Sequence, residues 1–102
     1  MISKHYKSSR QKRERLIGNV IKGDGNIIDT FEVDRGHKNG AELHSITDTG
    51  LIIIRNKSSG KLVTKLIARP QQITRYYCNS RKSPPNWLIS LAQWHMDLHY
   101  ND

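Results

Sequence analysis

The sequence predicts an α+β domain. An antiparallel β-meander carries a short helix and a C-terminal amphipathic helix packed on one face, behind a basic N-terminal arm. Three observations predict it. Short β-branched runs are separated by Gly-, Asn-, Asp- and Ser-containing turns, too brief for the crossovers that parallel neighbours require. A proline follows the last of these runs, where it ends a hydrogen-bonded ladder and suits the first turn of a helix. Past the Pro84-Pro85 pair the apolar spacing changes from alternation to a helical period. At 102 residues the chain has room for one domain, read as residues 16–102, with residues 1–15 as a polar, flexible arm.

The elements follow in order. Leu16, Ile17, Val20 and Ile21 fit a helical face and also fit a strand; the strand reading, 16–22, leads naturally into the turn Lys22-Gly23-Asp24-Gly25-Asn26. Ile27–Val33 is then the returning strand, and the loop from Asp34 to Gly40 is rich in turn chemistry. Leu43–Thr47 alternates and stops at Asp48-Thr49-Gly50. Leu51–Arg55 is β-branched and buried in character, and Asn56–Gly60 turns the chain into the partner strand Lys61–Ile67. Pro70–Tyr77 is a short helix with Ile73 and Tyr76 or Tyr77 facing inward. Asn79–Ser83 links it to a last helix, capped by Ser83-Pro84-Pro85 and running to about His99. Trp87, Leu91, Trp94 and Leu98 define its expected core stripe, widened by Leu88 and Ala92.

Charge is the strongest compositional signal. The chain carries a formal +8, and the excess is segregated: residues 1–15 hold +5 and residues 49–82 hold +8 without a single acid. A surface that merely solvates a small domain usually mixes both signs, so this segregation points to a polyanionic partner. The candidate nucleic-acid contacts are Lys4, Lys7, Arg10, Lys12, Arg13 and Arg15 in the arm, then Arg55, Lys57, Lys61, Lys65, Arg75 and the ring of Tyr76. Hydrophobic residues make up 35 % of the chain, which permits one modest core. No apolar run approaches the length of a membrane span, and the charged opening MISKHYKSSR, without an apolar run, leads us to expect no signal peptide. The lone Cys78 excludes an internal disulfide; a reducing, cytoplasmic setting is expected, with no membrane partner.

Among residues that bear chemistry, His37 lies in the glycine-flanked loop and His44 follows seven residues later, with Glu42 between them. Two imidazoles supply an acid–base pair near neutral pH, the requirement of metal-independent RNA cleavage, and Arg55, Lys61, Lys65 and Arg69 offer cations for the phosphorane. The purely structural alternative makes His37 a surface turn residue and places His44 over a strand end. His95 and His99 share a helical face, but no glutamate follows His95 and no third ligand is evident, so no metal centre and no cofactor is expected. Phosphate-loop and nucleophile-elbow motifs are absent.

The run Val33-Asp34-Arg35-Gly36-His37-Lys38-Asn39-Gly40-Ala41-Glu42-Leu43-His44 resembles small proteins encoded by phages and other mobile elements of low-GC Gram-positive bacteria. So do Thr47–Ile54 and Lys61–Tyr76, with a looser match over Ala92–Asn101, together about 70 of the 102 residues. Such proteins are similar, more distantly, to the barnase, EndoU, colicin and RelE group of ribonucleases, which share a small antiparallel sheet with helices packed on it. The resemblance implies metal-independent cleavage by histidines with basic and hydroxyl side chains, here His37, His44, Thr64 and Arg69, with Tyr76 further off. Two functions are therefore expected. One is engagement of nucleic acid, RNA before DNA, with ribonuclease activity. The other is a non-catalytic phage inhibitor, of anti-defence (anti-CRISPR) or host-takeover type, that binds an acidic or nucleoprotein target.

Overall fold

The computed structural model describes residues 23–34, 36 and 40–100. The basic arm, the segment 16–22 and His37 lie outside the described residues. The rest forms an α+β fold of four strands, β1 (Ile27–Val33), β2 (Glu42–Thr47), β3 (Leu51–Asn56) and β4 (Leu62–Ile67), followed by α1 (Pro70–Asn79) and α2 (Asn86–Tyr100). The strands lie in the order β1-β2-β3-β4 and every neighbouring pair is antiparallel, the meander expected from the short turns. Each edge strand carries a bulge. Ile28 is the extra residue between the Ile27–Thr47 and Asp29–Ile46 pairs, and Val63 is the extra residue between Thr64–Ile54 and Leu62–Arg55. Bulges at edges add local twist and interrupt a ladder that another chain could otherwise extend.

Register sets the faces, because directly opposed residues point the same way. Phe31, His44, Ile54 and Thr64 form one cross-strand row, and Asp29, Ile46, Ile52 and Leu66 form the next. Both helices pack on this face. Phe31, Ile46 and Ile52 join Ala68, Ile73 and Tyr77 and then Leu88 and Ala92 in one buried cluster, with Ile54, Leu66 and Tyr76 at its margin. On the other face lie Thr30, Ser45, Ile53 and Lys65, of which Ser45 and Ile53 are also buried.

Helix α1 begins as its sequence predicts. Pro70 occupies the first turn, and the Gln72 side-chain oxygen accepts the Arg69 amide at 2.9 Å, satisfying one of the orphan groups of the helix start. Ile73 and Tyr77 are buried and Tyr76 is half-buried. Its C-terminus is a Schellman turn: Arg81 N–H reaches Cys78 O at 3.0 Å and Lys82 N–H reaches Tyr77 O at 2.9 Å. Arg81 takes the left-handed position at φ 58°, where glycine is usual.

Helix α2 departs from expectation in two ways. It starts at Asn86, and the Pro85 carbonyl accepts from Leu88 and Ile89; among the described residues Ser83 donates or accepts no capping bond. The buried stripe is also rotated by one residue. Leu88, Ala92 and His95 are buried, whereas Trp87 and Trp94 remain 49 % and 47 % exposed. Apolar side chains cover more than half the circumference of this helix, so two stripes satisfy the same period. Contact decides between them. Ala92 allows close approach, and Gly50 at the β2–β3 turn has no side chain where His95 sits: a Cβ there would stand 2.8 Å from His95 Cε1.

Candidate functional site

Strand alternation places Glu42 and His44 on the same face of β2, two residues apart, and α1 lays Tyr76 across them. Only 1 % of His44 is exposed. Its Nε2 lies 3.0 Å from Glu42 Oε1, and its Nδ1 is hydrogen-bonded to the Tyr76 hydroxyl. A carboxylate only accepts, so in the neutral ring Nε2 carries the proton and donates to Glu42. Nδ1 is then a lone pair that accepts the Tyr76 O–H. The result is a chain of carboxylate, imidazole and phenol, with the imidazole buried at its centre.

Aromatic packing holds that phenol in place. The Phe31 ring stacks on Tyr76 with centroids 5.3 Å apart and meets Tyr77 edge-on at 5.1 Å. Tyr77 donates to Asp29 Oδ2 at 2.5 Å, and Lys82 approaches Asp29 Oδ1 at 3.7 Å. Burial, and then the Asp29 carboxylate beside it, push the Tyr77 phenol above its ordinary pKa, so it stays a hydrogen-bond donor. Two adjacent tyrosines therefore fasten α1 to the sheet, one through Asp29 and one through His44.

The four residues expected to act together are not brought into contact where they are described. His44 has both ring nitrogens engaged. Thr64 is exposed on edge strand β4, in the same row as His44 but with Ile54 between them, roughly 10 Å away by strand spacing. Arg69 is exposed at the start of α1. The partner histidine, His37, falls outside the described residues. Sequence reasoning noticed Glu42 only as a residue between the histidines, although its i, i+2 spacing to His44 on a strand already implied a shared face.

The basic residues divide into two sets. All eight cations between Arg55 and Lys82 are exposed. Lys57 pairs with Glu32 at 2.7 Å, Lys65 with Asp24 at 2.8 Å, and Lys82 with Asp29. Acids from residues 24–32 thus neutralise part of a stretch that is acid-free in sequence. Arg55, Lys61, Arg69, Arg75 and Arg81 make no ion pair among the described residues, the nearest engagement being Arg55 Nη1 with Gly60 O at 3.3 Å. The six arm cations lie outside the described residues.

Among the described residues His95 is the other buried imidazole. Its Nδ1 has no hydrogen-bond partner, and burial lowers its pKa. Among the described residues no group of three His, Cys, Asp or Glu side chains could hold a metal ion, and no helix is long and apolar enough to cross a membrane. Comparison with family models, curated proteins and solved structures yields no match to this chain.

Proposed function

We propose that the protein binds the phosphate backbone of RNA through the segment from β3 to the end of α1. The observation that carries this reading is the set of five exposed cations, Arg55, Lys61, Arg69, Arg75 and Arg81, that have no acidic partner among the described residues. An uncompensated guanidinium contributes mainly when a phosphate replaces its counterion. The preference for RNA, and action in the cytoplasm of a bacterial host, rest on the resemblance to mobile-element proteins. The test is the affinity for a labelled RNA between low and physiological salt. A steep slope of log K supports the reading, and each of Arg75→Gln and Arg81→Gln should reduce that slope by about one. Affinity independent of salt overturns it.

Cleavage of the bound strand is a second reading, favoured by the Glu42–His44–Tyr76 chain. In it Tyr76 takes the proton of a ribose 2′-hydroxyl as its own passes to His44 Nδ1, and Glu42 stabilises the imidazolium. The 2′-oxygen forms a bond to phosphorus, the bond from phosphorus to the 5′-oxygen breaks, and a 2′,3′-cyclic phosphate results. The leaving oxygen draws a proton from water, and His44 returns its proton to solvent. Incubation with diverse labelled RNAs in EDTA tests it. Intact RNA at saturating protein removes the enzymatic reading and leaves the binding one standing.

A further inference from the structure

Between α1 and α2 runs a groove of about 480 Å³, a volume within the range that accepts a single small ligand. One wall is a line along α1 at four-residue spacing, Gln71, Arg75 and Asn79. Pro70, Cys78 and, from α2, Met96 supply apolar surface. The Thr74 hydroxyl is spent on Pro70 O at 3.0 Å, and the Gln93 amide nitrogen on Asp97 at 3.0 Å. The Gln71 and Asn79 amides and the Arg75 guanidinium have no such engagement among the described residues, and no carboxylate lines the groove. Apolar sides with free amides at the rim match a flat heterocycle whose edge both donates and accepts. The unpaired guanidinium between the two amides matches a phosphate attached to it.

We propose that this groove receives an unpaired nucleobase, with Arg75 on the adjoining phosphate, so that the protein takes single-stranded RNA in preference to duplex. The inference rests on the polyanion reading above and adds to it the class of strand. A base held in a duplex cannot enter, because its edge is paired and its faces are stacked.

Cys78 makes the test direct, since it is exposed in the groove and is the only cysteine of the chain. The rate of its alkylation by a maleimide is measured on the full chain with three additives: single-stranded RNA, duplex RNA of the same length, and polyglutamate. The expected result is protection by single-stranded RNA alone, with an affinity preference for it over duplex of about ten-fold, since only an unpaired base can enter the groove. Gln71→Ala with Asn79→Ala, both exposed positions, should erase the preference and the protection without changing the salt slope. Equal, salt-dependent binding of both RNAs with Cys78 unprotected overturns the groove and leaves the polyanion reading intact. Protection by polyglutamate overturns it in favour of an acidic peptide partner. Absence of salt-dependent binding to any RNA overturns both readings.

Discussion

Tyr76 is half-buried and the His44 ring is fully buried, so substitutions at the two residues separate chemistry from support. Tyr76→Phe keeps the stack on Phe31 and removes only the hydroxyl. If the protein cleaves RNA, this variant should lose roughly 10²–10⁴-fold in rate while retaining RNA affinity and melting temperature. His44→Ala removes a fully buried ring and strands two partners, so it should cost on the order of 2–3 kcal/mol in denaturant unfolding whatever the activity. A His44→Ala variant as stable as the parent would show that the ring is not packed as described. His95 makes a second prediction at this scale. Its native pKa is lowered by burial while its unfolded value stays near 6.5, so below that pH the unfolded state binds more protons than the native one. The stability contributed by the neutral ring is complete above about pH 6.5 and declines as pH falls toward the lowered native value. From pH 7.5 to pH 5 the melting temperature of the parent should fall relative to that of His95→Leu, which has no imidazole to protonate. Parallel curves would count against it.

At the level of elements, α2 provides the sharpest contrast. Leu88 is buried in the common cluster, so Leu88→Ala should cost about 3 kcal/mol. Trp94 is half-exposed, so Trp94→Ala should cost only about 1–2 kcal/mol despite the larger side chain. Chemical denaturation of the two variants decides which stripe faces the core, and a reversed order would restore the tryptophan stripe. The end of α1 offers another test. Arg81 stands in a left-handed conformation that costs a non-glycine residue about 1 kcal/mol, so Arg81→Gly should stabilise the fold by up to that amount. The same change should weaken RNA binding, because it removes an exposed cation without an ion pair. A stabilised variant with unchanged affinity and salt slope would take Arg81 out of the interface. Strand and helix placement at this scale was legible in the sequence because turns, proline and periodicity act over a few residues. The rotation of α2 was not, because its wide apolar arc has two equivalent solutions until the Gly50 turn is brought beneath it.

Across the whole molecule, charge is redistributed by folding. The +8 of residues 49–82 is reduced locally where Asp24, Asp29 and Glu32 reach Lys65, Lys82 and Lys57. What remains follows β3, the β3–β4 turn and α1, with the arm as a separate reserve of +5. If both engage one polyanion, deleting residues 1–15 should flatten the salt slope of log K by up to about five units, and the remaining slope should come from the folded cations. An unchanged slope after deletion removes the arm from the interface.

The meander and the presence of two helices follow from signals confined to short windows: alternation within Leu43–Thr47, the turns at Asp48-Thr49-Gly50 and Asn56–Gly60, and Pro70 after Arg69. The candidate histidine was also visible, as was the basic stretch around it. Three features depended on elements distant in sequence coming together. Tyr76 from α1 covers His44 from β2, acids in and just before β1 neutralise lysines beyond β3, and Gly50 leaves room for His95. Local patterns carry the direction in which a side chain points from its own element, but burial and ion pairing depend on which element is packed against it. That partner is chosen by close packing of the whole chain.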